Sequence, residues 1–419
     1  MGHFDYPAVN FETHPSRYRH WDLKIDGEIA TLTMHIKDDK PLWDGRYELK
    51  LNSYDLGVDV ELNDAVQRLR FEHPEVRAVV MTGAYDKIFC AGANIRMLGM
   101  APHAFKVNFC KYTNETRVSI EDATEHSGQI YIAALNGTAS GGGYELALAC
   151  EDILLIDDGN AAVSLPEVPL LGVLPGTGGL TRLTDKRKIR RDVADVFCTK
   201  AEGFRARDAK KYKLIDESYP RSKWSEGVAS RAQMHVETMK AAFPLRQGPG
   251  VELPALERTD TDGGWSYKYV DVQVDGRQAN LVMRGPDSAP ERSAGTWSLR
   301  AFRELEDALL RLRVNYLQVG LIVVRTEGDS DAVLQHEHFI TSGAEDDWFL
   351  REVQVFQART LRKFDNMAKS LFCLIEEGHC FAGILFELCL AADRSYMFLD
   401  DDEENSVQLS KANQGAYPM

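Results

Sequence analysis

The 419-residue chain has few cysteines, no excess of basic residues and no long apolar run. Seven cysteines stand singly at 90, 110, 150, 198, 373, 380 and 389, an odd number without a C-x-x-C pair. That excludes a disulfide framework and leads us to expect reduced thiols in a cytoplasm, most of them small core residues. No apolar stretch approaches the length of a membrane span, so no membrane partner is expected. The opening MGHFDYPAVN lacks the basic and then apolar segments of a secretory signal, and the serine or threonine of a myristoylation site, so neither is expected. A formal charge of −15 argues against nucleic acid as a partner, with KRKIRR (186–191) a local exception. G-x-G-x-x-G and P-loop patterns are missing, which removes the usual grounds for a redox nucleotide or ATP. His336 and His338 form an H-x-H that could share a strand face, but no third ligand is in view. We read them as surface residues and expect no metal.

What the chain does have is repetition. A hydrophobic content of 44% suits a globular protein, and the length implies two domains. WDLKIDGEIATLTM (21–34) and VDVQVDGRQANLVM (270–283) align without a gap, each a hairpin pattern around Asp-Gly. VRAVVMTG (76–83) is then matched by VGLIVVRTEG (319–328). LNGTASGGGYELALACED (135–152) is matched by EEGHCFAGILFELCLAAD (376–393), and VSLPEVPLLGVLP (163–175) by VQLSKANQGAYPM (407–419). An ordered series of this kind predicts two fused copies of one fold. The boundaries we expect are a first domain over 1–245, a linker over 246–264 and a second domain over 265–419. Within copy one, RAVVMTG, IYIAALNG and DILLID are short buried strands, and residues 55–71 have helical spacing. The class is α/β, built from repeated β-β-α units.

Two places in copy one share a strand, a loop of small residues and a helix start: KIFCAGANIRML (87–98) and TASGGGYELAL (138–148). Free N–H groups and a positive dipole end at such starts suit an oxygen that gains charge. Two loops could aim two N–H groups at one oxygen, an oxyanion hole for a carbonyl becoming an enolate. Without the glycines, side chains would block that approach. Glu145 follows the glycines, and Glu167 lies in SLPEVPLLGVLPGTGGLTRL (164–183). Two carboxylates near one pocket can divide proton work, their pKa values set apart by their surroundings.

In order, FCAGANI, NGTASGGGYELALACED and LPEVPLLGVLPGTGGLTRL resemble the three signature stretches of the enoyl-CoA hydratase/isomerase (crotonase) superfamily, over roughly residues 20–245. The resemblance implies an oxyanion hole for a CoA thioester from the N–H groups of Ala91 and Gly142, with Glu145 and Glu167 at the acid/base positions. Asn94 stands where the family usually has Asp. Asn94, Arg96, Gly141, Gly143 and Arg182 are the candidates around thioester and CoA, with Arg96, Arg182 and KRKIRR considered for the phosphates. CoA belongs to the substrate, so an acyl-CoA is the expected ligand and no separate cofactor is expected. A homo-oligomer is also expected.

The whole chain resembles a narrower group in that superfamily, which opens aromatic rings in aerobic benzoate breakdown. It implies hydrolysis of the 2,3-epoxide of benzoyl-CoA, leaving formate and an aliphatic semialdehyde CoA thioester. The alternatives are a general enoyl-CoA hydratase or isomerase, and a non-catalytic acyl-CoA-binding scaffold.

Copy two is expected to be degenerate and silent. Its turn reads CFAGILFEL (380–388), with branched Ile384 and Leu385 in place of glycines. Glu387 survives opposite Glu145, but Lys411 stands opposite Glu167, and nothing after IVVRTEG replaces FCAGAN. Copy two stops at the point matching LPGTGG, so its last helices are expected to be missing from this chain, leaving apolar faces exposed.

Overall fold

The computed structural model describes residues 6–399 and 405–417. The readings made from the two chain ends fall in part on residues 1–5 and 418–419, outside the described residues. Two compact units form. One holds 13–249 with Tyr6 and Pro7; the other holds Ala8–Glu12 and the chain from Gly250 onward.

The first unit opens with β1 (Trp21–Asp26) and β2 (Ile29–Met34), turned by Asp26-Gly27 with Gly27 at φ +59°. Next come α1 (Leu56–Phe71), β3 (Ala78–Gly83), β4 (Lys87–Cys90), α2 (Ile95–Met100) and α3 (His103–His126). Then β5 (Ile130–Leu135), β6 (Gly137–Ser140), α4 (Gly142–Ala149), β7 (Asp152–Asp157) and β8 (Ala162–Ser164) follow. The unit closes with α5 (Glu167–Leu171), α6 (Gly179–Thr181), α7 (Arg191–Thr199), β9 (Phe204–Arg205), α8 (Ala206–Lys211), β10 (Glu217–Pro220) and α9 (Trp224–Ala242).

The main sheet runs β1-β2-β3-β5-β7-β10, parallel from β2 onward. Its apolar runs are buried on both faces, as parallel strands require. Ala78, Val80, Ile130, Ile132, Ala134 and Leu154 pack on Ala232, Val236 and Met239 of α9. A smaller sheet, β4-β6-β8-β9, stands beside it and carries the loops of interest at its ends. Asp55 starts α1: Oδ1 accepts the N–H groups of Gly57 and Val58 at 2.9 and 3.2 Å, a cap worth about 1 kcal/mol.

The second unit has one sheet, β11 (Thr259–Thr261), β12 (Gly264–Ser266), β13 (Val270–Asp275), β14 (Gln278–Arg284), β15 (Leu321–Glu327), β16 (Ser370–Ile375) and β17 (Arg394–Met397), in that order. Its helices are α10 (Trp297–Asn315), α11 (Ser330–Gly343), α12 (Trp348–Asp365) and α13 (Phe386–Ala391). The hairpin β13–β14 turns at Asp275-Gly276 and is followed by parallel β15, β16 and β17, the order of β1, β2, β3, β5 and β7. Val270 pairs with Met283 as Trp21 pairs with Met34.

Three expectations need correction. Residues 259–264, the end of the expected linker, are not linker: Asp262-Gly263, with Gly263 at φ +81°, turns β11 into β12, which joins the second sheet. His336 and His338 lie on α11, not on a strand. His336 is also buried, its Nε2 2.9 Å from the Ser288 carbonyl and its ring edge-on to Trp297. Among the described residues, no group of His, Cys, Asp and Glu could hold a metal ion and no helix is long and apolar enough to cross a membrane.

Candidate active site

The loops after β4 and β6 meet. Gly141 takes φ +53°, its N–H donates to the Ser164 carbonyl at 2.9 Å, and α4 begins at the next residue. A Cβ on Gly92 would lie 2.9 Å from the Gly142 nitrogen, and one on Gly142 would run into the Tyr54 hydroxyl. No larger residue fits at this crossing, which is the physical reason for the glycines.

The structure shifts one donor. The N–H of Ala91 is already given to the Leu51 carbonyl at 3.1 Å, so Ala91 cannot serve an external oxygen. That of Gly92 faces the Cys90 sulfur at 3.3 Å, and that of Asn94 donates to Tyr54 O at 2.8 Å. Ala93, between them, has an N–H without a partner among the described residues, as does Gly142 at the start of α4. Both free N–H groups therefore belong to loops in contact. Backbone pairing with Tyr54, 39 positions earlier, sets the alternation that frees Ala93. Burial pushes the neighbouring Cys90 thiol up to about 12, which removes it as a nucleophile.

Glu145, on the first turn of α4, is 2% exposed. Its Oε1 accepts the N–H groups of Thr177 and Gly179 at 2.9 and 2.8 Å, and its Oε2 accepts the Thr177 hydroxyl. Thr177 was missed in the sequence, where it reads as one small residue among glycines. Glu167 enters from the start of α5, with Oε1 2.8 Å from where Gly141 would carry a Cβ. Its Oε2 is buried without a hydrogen-bond partner. Burial and then the charge of Glu145 push the Glu167 carboxyl up from 4.5 to about 7. The two acids are thus unlike: one is held by three donors, the other titrates near neutrality.

Two of the expected binding residues are committed elsewhere. Asn94 caps α2, its Oδ1 accepting the Met97 N–H at 2.9 Å and its Nδ2 donating to Glu48 O at 2.8 Å. Arg182 is 6% exposed and grips Glu121 with Nε at 2.9 Å and Nη2 at 2.8 Å, while Nη1 donates to Thr177 O at 3.2 Å. Buried and doubly paired, it is not free for a phosphate and instead steadies the loop that holds Glu145. In KRKIRR, Lys186 and Arg187 are likewise engaged, with Glu121 and Asp216. Arg96 is exposed on α2. Gly143 packs against Cys90, with no room for a side chain.

In the second unit, Gly383 takes φ +47° and donates its N–H to Gln408 O at 2.9 Å, as Gly141 does to Ser164. Ile384 and Leu385 follow, both fully buried. Glu387 accepts from Asn413 Nδ2 at 2.6 Å. Lys411 is exposed, and Glu337 of α11 reaches Gly383 and adds a second buried carboxylate that the sequence alignment missed.

The first unit thus joins a hairpin-led parallel sheet to two touching loops with free N–H groups and two glutamates near them. Residues 48–245 match the family described as enoyl-CoA hydratase/isomerase. The chain belongs to this crotonase-type family. It is 52% identical over 421 residues to the benzoyl-CoA-dihydrodiol lyase of Aromatoleum evansii, covering 98% of this chain and 75% of that protein. An enoyl-CoA hydratase from Geobacillus kaustophilus HTA426 is 31% identical with a TM-score of 0.47, over 55% of this chain and 80% of that one. A putative enoyl-CoA hydratase from Thermobifida fusca YX, solved in complex with CoA, is 24% identical with a TM-score of 0.44, over 54% and 83%.

Proposed function

We propose that this chain opens the ring of 2,3-epoxybenzoyl-CoA by hydrolysis, in aerobic breakdown of benzoate. The observation that carries the reading is the pair of free N–H groups, Ala93 and Gly142, beside Glu145 and Glu167. The similarity to a benzoyl-CoA-dihydrodiol lyase supports the substrate class. The thioester oxygen sits between the two N–H groups. When water opens the epoxide and the ring carbon–carbon bond breaks, electron density moves toward the thioester and that oxygen gains charge. Loss of one such donor typically costs about 2.7–4 kcal/mol of barrier. Glu167, near neutrality, takes the proton of the attacking water, and Glu145 holds water in line from its fixed position. Two waters enter; formate and a six-carbon semialdehyde CoA thioester leave, with no net oxidation. No cofactor beyond the substrate's own CoA is required. Arg96 is the basic group we assign to the CoA phosphates.

We further read the second unit as a degenerate copy of the first, on the shared strand order and the Gly383–Gln408 contact. Its carboxylates lie closed in among buried Ile384 and Leu385, so we assign it no turnover. Leu170, Leu171, Val173 and Leu174 are exposed after Glu167, the face on which we place homo-oligomer contacts. Seven unpaired cysteines fit a reducing cytoplasm. The test of the function is a substrate panel: turnover of 2,3-epoxybenzoyl-CoA should exceed hydration of crotonyl-CoA by at least about 100-fold in kcat/KM, a gap of about 2.7 kcal/mol. The reverse preference would make this a general hydratase.

A further inference from the structure

Behind the two free N–H groups lies a buried pair that acid–base chemistry does not use. Residues 51–55 are pinned in an unusual path. Leu51 and Asn52 take φ +59° and +55°, the left-handed region that non-glycine residues rarely enter. Asn52 holds that path: Oδ1 accepts the Ile36 N–H at 3.0 Å, and Nδ2 donates to Met34 O at 3.1 Å and Phe89 O at 2.8 Å. The turn delivers Tyr54 to both loops at once. Its N–H donates to Gly92 O at 3.0 Å and its carbonyl accepts the Asn94 N–H, so its backbone brackets Ala93. Its hydroxyl lies against the Cα of Gly142.

Arg117 of α3 completes the arrangement. It is fully buried, and its Nη2 donates both to the Tyr54 hydroxyl and to Gly142 O, each at 3.1 Å. Nη1 donates to Thr113 O at 2.9 Å. Its acid neighbour Asp59 is 3.9 Å away, and Asp59 itself accepts the Thr113 hydroxyl. A buried guanidinium is frequently met by a carboxylate in a two-pronged hydrogen-bonded pair. This one stands 3.9 Å from Asp59 and, besides the Thr113 carbonyl, gives its bonds to a tyrosine and to the first peptide of α4. The charge stands in a low-dielectric interior, where it acts strongly on a nearby developing anion.

We propose that Tyr54 and Arg117 are positioning residues of the thioester site. Tyr54 fixes the two N–H donors against each other, and Arg117 sets a buried positive charge behind Gly142, so that negative charge on the thioester oxygen is stabilised. This rests on the oxyanion reading of Ala93 and Gly142.

The test uses the whole protein and benzoyl-CoA carrying 13C at the thioester carbonyl, read by isotope-edited infrared spectroscopy, with kcat and KM for 2,3-epoxybenzoyl-CoA. The native protein should lower the carbonyl stretch on binding. Arg117→Met should lose at least half of that shift and about 30–100-fold in kcat, with KM changed less than about threefold. Arg117→Lys, which keeps the charge, should recover part of both. Tyr54→Phe removes one oxygen and should lower kcat about fivefold with a smaller carbonyl shift. A folded Arg117→Met with native shift and kcat would overturn the inference. Should Arg117→Met fail to fold, native values in Tyr54→Phe would overturn it alone. No shift in the native protein would instead defeat the oxyanion reading itself.

Discussion

The N–H of Gly179 meets Oε1 of Glu145 at 2.8 Å, so a loop 34 residues downstream fixes the acid on α4. An amide here can keep its oxygen on both backbone N–H groups and turn its NH2 to the Thr177 hydroxyl oxygen, so the geometry is kept while the charge is lost. Glu145→Gln should therefore lose about 10²–10⁴-fold in kcat. Binding of benzoyl-CoA, which we place on the N–H pair, should change by less than about threefold in calorimetry. Native turnover in this variant would remove Glu145 from the chemistry.

Glu167 should leave its mark on pH dependence. As a base it acts when deprotonated, and its carboxyl is pushed up to about 7. The rate should rise with pH and level off above that value. Stability runs the other way: a carboxyl raised in the fold contributes stability below its ordinary 4.5 that is lost as pH rises through about 7. Glu167→Gln should thus be nearly inactive yet more stable than the native protein at pH 8, by about 1–2 kcal/mol after allowing for partial exposure. Urea unfolding at pH 5 and pH 8 measures this, and a variant less stable at pH 8 would contradict it.

Arg182 and Arg96 should separate cleanly. Arg182→Ala breaks a buried pair with Glu121 and loosens Thr177. A loss of about 2–4 kcal/mol in stability, with a lower kcat, is the expected outcome. Arg96→Ala removes an exposed charge and should leave the melting temperature within about 1 °C. It should raise KM for CoA esters about 3–10-fold, and less so at high salt. A KM effect confined to Arg182→Ala would reverse the two roles.

In the second unit, Glu387→Gln should change turnover by less than about threefold, roughly 0.6 kcal/mol of barrier. Titration with benzoyl-CoA should find one site per chain. Two equal sites would give the second unit an activity of its own.

Much of this was legible in the sequence because it is written locally. Asp26-Gly27 and Asp275-Gly276 mark both hairpins, and GGG followed by Glu145 marks the α4 start. What was not legible depends on distant pairing. Ala91 and Ala93 flank Gly92 and look alike; only the alignment of residues 51–54 beside them decides which N–H is free. Arg182 reads as a basic residue at a helix end until Glu121, on another helix, is seen to hold it. Glu337 came from α11, outside any aligned motif, and Asp262-Gly263 was read as part of a linker although it turns a hairpin.

The central claim is ring opening at a thioester held by Ala93 and Gly142. Its most direct test is mass spectrometry of the products after incubation of the protein with 2,3-epoxybenzoyl-CoA. The expected result is one equivalent of formate and a six-carbon semialdehyde CoA thioester, abolished in Glu145→Gln. A seven-carbon hydrated thioester without formate, or unchanged substrate, would contradict it.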